Sequence, residues 1–194
     1  MTKHARVLSE DELQSLLDYV HTTRHSERNT LIVYLSHYAG MRVGEIAGLC
    51  HKDIGVPTDR CNGPAAVKQI QLRKRDCKGS SGRSVFLSTA IQVVIGRYFD
   101  KIPFSKNDFL CSTKGGGMSN VTLAQEMWKW YRRCGLDGAS SHSGRRGFVT
   151  GLLNRQVSVR VVQKLVGHSF LSSTQRYADT LDSDMVEAVE KLQE

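Results

Sequence analysis

Long apolar runs, paired cysteines and proline are all scarce in this chain of 194 residues. No stretch approaches the roughly 20 apolar residues of a membrane-spanning helix, so no membrane partner is expected. The opening Met1-Thr2-Lys3-His4-Ala5-Arg6 leads into polar residues and not into an apolar core. No signal peptide is read there, and the chain is expected in the cytoplasm. The five cysteines (Cys50, Cys61, Cys77, Cys111 and Cys134) are odd in number and scattered, with no C-x-x-C pair. That spacing argues against a disulfide framework and against a structural zinc site. Carboxylates do not cluster near the histidines, which argues against a metal-dependent nuclease. Three prolines leave long helices possible.

What the chain has is positive charge. Lys and Arg number 27 against 19 Asp and Glu, a formal net charge of +8 with a sequence pI near 9.4. That balance suits a polyanionic partner, or simply a basic soluble surface. The length fits one domain over residues 1–194, long enough to bury a normal core.

Hydrophobic periodicity gives the outline. Ser9-Glu10-Asp11-Glu12 reads as an N-cap with an acidic first turn, opening a helix to about Tyr19. Glu27 to Tyr38 carries Leu31, Ile32, Tyr34, Leu35 and Tyr38 at helical spacing, and Gly40 ends it. A short helix follows with Val43, Ile46, Ala47 and Leu49. Val67 to Arg75 and Arg83 to Ser88 alternate apolar and polar residues around a Lys78-Gly79-Ser80-Ser81-Gly82 turn, the pattern of a β-hairpin. Helices are predicted again over Thr89–Phe99, Val121–Cys134, Ser143–Leu153, Val159–Val166 and Ser183–Gln193. Gly115-Gly116-Gly117 lacks the context of a phosphate-binding loop and reads as a flexible loop. The fold class predicted is α+β, mostly α-helical with one small antiparallel β-sheet.

Four segments could carry chemistry: Gly40-Met41-Arg42-Val43-Gly44-Glu45-Ile46; Lys78 in its turn; His142-Ser143-Gly144-Arg145 with Arg146; and Leu165-Val166-Gly167-His168 followed by Tyr177. Singly, each has a plain structural explanation. Arg42 could be a buried arginine paired with Glu45, Lys78 a solvated loop lysine, and Tyr177 an ordinary packed tyrosine. Together they suit phosphoryl transfer. Two arginine forks match the non-bridging oxygens of a phosphate, and a lysine and two histidines can move protons. A tyrosine hydroxyl can attack.

In this order the segments resemble those of the tyrosine recombinase (phage integrase) family, over nearly the whole chain. Gly40 to Ile46 looks like the family's first arginine box, and Lys78-Gly79 with Arg83-Ser84-Val85-Phe86-Leu87 like its lysine hairpin. His142-x-x-Arg145 looks like its second box. Leu165 to His168 with Tyr177 looks like its third histidine and nucleophile segment. The resemblance implies the DNA breaking-rejoining catalytic-domain fold, and a site-specific recombinase cutting through a 3′-phosphotyrosyl intermediate. Arg42, Arg145 and His168 would hold the phosphate, Tyr177 attack it, and Lys78 protonate the leaving 5′ oxygen. His142 would take the tyrosine's proton or help hold the phosphate, and Glu45 would orient Arg42 or its neighbours. No cofactor and no metal are implied. The role would be integration or excision of a mobile element. Alternatives are inversion, as in the stand-alone fimbrial-switch invertases, or DNA binding without catalysis.

The partners implied are double-stranded DNA, three further copies in a tetrameric synapse, and an accessory DNA-bending protein. The tail after Asp184 would dock on a neighbouring subunit or on its own domain. DNA contacts are expected from Arg73, Lys74, Arg75, Arg83, Lys114 and Arg146, and from Lys129, Arg132 and Arg133. Relatives commonly carry an N-terminal helical clamp domain, which this sequence is read as lacking. Two departures concern the second box: Gly144 stands where leucine is usual, loosening the helix start, and Arg146 where histidine is common.

Overall fold

The first helix begins where the sequence supplies a complete cap. Ser9 Oγ accepts the Glu12 backbone N–H at 3.2 Å, and the Glu12 carboxylate accepts the Ser9 N–H at 3.0 Å. In the computed structural model, residues 5–56, 65–72, 82–113 and 116–167 are described. They form two compact units, Met1–Phe148 and Val149–Glu194.

In the first unit, α1 (Glu10–His21) and α2 (Ser26–His37) precede two short helices, α3 (Val43–Ala47) and α4 (His51–Ile54). Strands β1 (Gly55–Val56) and β2 (Ala65–Ala66) pair, as do β3 (Gln69–Leu72) and β4 (Arg83–Phe86). Then come α5 (Thr89–Lys101), the paired β5 (Ser112–Thr113) and β6 (Gly116–Gly117), α6 (Asn120–Arg133) and the start of α7 (Ser143–Asn154). Helix α2 is the central element. It is buried around most of its circumference, from Asn29 to Val33 and from Leu35 to His37, and it packs against α1, α3 and α5. A helix enclosed on all sides has no polar stripe to keep. Leu16 and Val20 of α1, Leu31, Ile32 and Leu35 of α2, Ile91 and Ile95 of α5, and Leu123 and Met127 of α6 form one core. Each such side chain contributes about 1.5–3 kcal/mol on burial.

The β3–β4 ladder is antiparallel, with Gln69 opposite Phe86 and Leu72 opposite Arg83. Ile70, Leu72 and Val85 face the core, whereas Phe86 faces out. Two expectations change. The single small sheet is three separate two-stranded ladders among the described residues. The glycine run is no free loop at its end: Gly116 and Gly117 pair with Thr113 and Ser112. Glycine's weak strand preference hid this. Helix α4 and the β1–β2 pair were also missed, being too short to display a period.

In the second unit, α8 (Val159–Val166) starts at Ser158, whose Oγ accepts the Val161 N–H. Val162 and Val166 are buried. The predicted tail helix, Ser183–Gln193, lies outside the described residues.

Candidate active site

The first arginine is set by the turn before it. Gly40 has φ +61°, in the left-handed region, and a Cβ there would lie 2.4 Å from the Phe148 ring of α7. Only glycine meets both demands. The chain reverses, and the Met41 N–H donates back to Leu35 O at 3.0 Å. Arg42 then stands at the N-cap of α3.

The Gly40 carbonyl meets the second arginine. Arg145, on the first turn of α7, is 7% exposed and donates from Nη1 to Gly40 O at 2.6 Å. The two arginine boxes, a hundred residues apart in sequence, are thus bonded side chain to backbone. Gly144 makes this approach possible. A Cβ on Gly144 would lie 2.2 Å from Ser36 Oγ and 2.9 Å from the Ser36 backbone carbon. The expected loosening of the helix start is therefore replaced by close packing. Gly144 lets α7 sit directly on α2, where a leucine would push it away.

Beneath Arg42 lies Glu45, 1% exposed. Its carboxylate accepts the Arg42 backbone N–H at 2.7 Å and Arg42 Nη1 at 2.8 Å. It also accepts Arg83 Nη2 at 2.7 Å and Nε at 3.3 Å. Burial alone would raise the Glu45 pKa, but the hydrogen bonds and charges of Arg83 and Arg42 outweigh it and hold the carboxyl below its ordinary value. Two guanidinium groups share one carboxylate. Arg42 remains 24% exposed, and its Nε and Nη2 make no hydrogen bond to a described residue.

His142 precedes α7 and is exposed. With Val43, Asn120, Val121 and Trp128 it lines an open groove of about 430 Å³. Lys78, His168 and Tyr177 lie outside the described residues, as do Arg73, Lys74, Arg75 and Lys114.

Two expected DNA contacts point elsewhere. Arg83 has 8% of its side chain exposed and is engaged with Glu45. The pattern held the clue: with a period of two, Arg83 shares the inward face of Val85. Arg146 donates from Nη1 to Ala5 O at 3.1 Å, tying the N-terminal segment to α7. On α6, Lys129 pairs with Glu126, and Arg132 pairs with Asp137 and lies over the Trp128 ring. Arg133 is exposed. Among the described residues no three histidine, cysteine or carboxylate side chains gather as metal ligands would, and no helix is long and apolar enough to cross a membrane.

Residues 6–184 match the model of the phage integrase family. The chain belongs to that family. A tyrosine recombinase of Pseudothermotoga lettingae is 30% identical over 182 residues, covering 93% of this chain and 58% of that protein. This integrase-family chain thus spans about three-fifths of the length of the curated relative. Its fold is that of tyrosine recombinase catalytic domains. The crystal structure of XerA recombinase superimposes with a TM-score of 0.73 at 24% identity, covering 100% of this chain and 66% of the other. A XerH site-specific recombinase bound to a palindromic difH substrate gives a TM-score of 0.69 at 23% identity, covering 98% and 54%.

Proposed function

We propose that this chain is the strand-cleaving part of a site-specific DNA recombinase, with Tyr177 as nucleophile. The observation that carries the reading is the joining of Arg42 and Arg145. One is held by a buried carboxylate that Arg83 also grips, the other by the Gly40 carbonyl. A preorganised positive cluster of this kind stabilises charge that grows on a phosphate. The DNA-bound relative supports the same substrate class.

In the proposed step the Tyr177 oxygen bonds to the scissile phosphorus while the bond to the 5′ oxygen breaks. The tyrosine proton passes to His142 or to solvent through it, and Lys78 supplies a proton to the leaving oxygen. Arg42, Arg145 and His168 hold the non-bridging oxygens. The phosphotyrosyl bond conserves the energy of the phosphodiester, so resealing needs neither ATP nor a metal. The biological role proposed is integration or excision of a mobile element by four protomers on duplex DNA, with an accessory DNA-bending protein.

Covalent trapping tests this. The protein is mixed with fragmented, nicked DNA from its own source in EDTA and run on a denaturing gel. An adduct with the wild type and none with Tyr177→Phe is the expected outcome, with DNA binding kept in the variant. Cleavage by Tyr177→Phe would remove Tyr177 as the nucleophile.

A further inference from the structure

Arg83 is the first residue of β4, and its partner across the ladder is Leu72, the last residue of β3. Residues 73–82, which include Lys78, connect them. Arg83 is thus the point where that connection joins the folded core, and there its guanidinium turns inward to Glu45.

The four contacts on Glu45 divide evenly. Oε1 takes Arg42 Nη1 and Arg83 Nε, and Oε2 takes the Arg42 N–H and Arg83 Nη2. An ionised carboxylate offers about four lone-pair sites, so Arg42 and Arg83 complement each other and do not compete. Arg83 grips both oxygens as a fork, which fixes the plane of the carboxylate. Arg42 lies only one helical turn from Glu45 and could follow it through any rotation. Arg83, arriving from a strand, cannot.

We infer that Arg83 is a positioning residue: it fixes the Glu45 carboxylate so that Glu45 holds the Arg42 guanidinium, and it ties the strand leading from Lys78 to the first arginine. The inference rests on the reading of Arg42 as a phosphate-holding group. It predicts a pH signature. Glu45 is opposed by burial and supported by Arg83 and then Arg42. Asp53 of α4 and Gln71 of β3 line the same small cavity, so the charged described groups around it are Arg42, Arg83 and Asp53. Without Arg83, burial is opposed by Arg42 alone and the Glu45 pKa rises. Arg42 then loses its ionic partner as pH falls through the raised value.

The test follows the Arg42 guanidinium NMR signals and single-turnover cleavage in EDTA as the pH is lowered stepwise from neutral. The cleavage substrate is the nicked duplex recovered by covalent trapping. Arg83→Gln is expected to slow cleavage roughly ten- to a hundredfold at neutral pH. It should also add an acid limb of about tenfold per pH unit, with broadening of the Arg42 signals over the same range. Arg83→Lys should restore part of the rate. In Arg83→Gln with Glu45→Gln the profile should be slow but without the added limb, keeping the wild-type shape, because an amide does not titrate. If Arg83→Gln does not fold, Arg83→Lys carries the test through a weaker acid limb. Arg42 signals identical to wild type at every pH, or an acid limb that survives Glu45→Gln, would overturn the inference. Arg42 signals that respond as expected beside a wild type that forms no adduct would instead sink the recombinase reading and leave the positioning intact.

Discussion

Two buried polar clusters in the first unit are built on opposite principles. Around Glu45 the groups are charged, with two guanidinium groups on its carboxylate. The groups that bond the His51 ring are neutral. His51 Nδ1 accepts the Ser105 N–H at 3.1 Å, so Nε2 carries the proton and donates to Tyr98 Oη at 2.8 Å. The rings of Phe99 and Phe104 close over it. Burial pushes the His51 pKa down and the Tyr98 pKa up to about 12, so both stay uncharged. His37 and Tyr131, 3.2 Å apart, repeat the neutral solution beneath α7. Neutral pairs satisfy hydrogen bonds at little cost in desolvation. A buried ion cluster is expensive to desolvate.

The comparison can be broken by mutation. Glu45→Ala should have the largest effect on stability, because it leaves two inward guanidinium groups without their carboxylate. Loss of about 3 kcal/mol is expected, at the lower end for a buried pair because Arg42 is partly exposed. Cleavage should be lost as well, and denaturant melts beside the trapping assay would show both.

The neutral clusters should respond to acid. Burial holds the His37 pKa at about 4 against the ordinary 6.5. The unfolded chain therefore takes up a proton first, and stability falls as pH drops below 6.5, with the full deficit reached near 4. That deficit is up to about 3 kcal/mol. Melting temperature against pH, compared with His37→Gln, checks it: the variant should show a shallower acid slope. An unchanged slope would mean that His37 is not held neutral.

The smallest effect belongs to Tyr98→Phe. It removes the acceptor of the His51 proton and should cost about 1 to 2 kcal/mol. Cleavage by the folded variant should match wild type. If Tyr98→Phe reduced cleavage as Glu45→Ala does, the two clusters would not be separable.

Much of the fold was legible. The cap read at Ser9 accepts a backbone N–H as its residue type favours. The long helices fall within a residue or two of their hydrophobic periods. Helix α4 and the β1–β2 and β5–β6 ladders were not legible, because two to four residues carry no period. In the site, Arg42, Glu45 and Arg145 were readable as candidates from their segments. Arg83 was read as a surface cation because charge outweighed its place in the alternation, although its parity with Val85 already turned it inward.

The sequence by itself determined the element types, the basic charge and the order of the four candidate segments, since these depend on local propensity and composition. The contacts made by Arg83, Gly144 and Gly40 were decided only by the tertiary structure. Arg83 found a carboxylate from another element, Gly144 met the backbone of α2, and the Gly40 carbonyl met Arg145. Each contact joins residues distant in sequence. A local pattern can say that a side chain points inward, but only the packed chain fixes what it meets there.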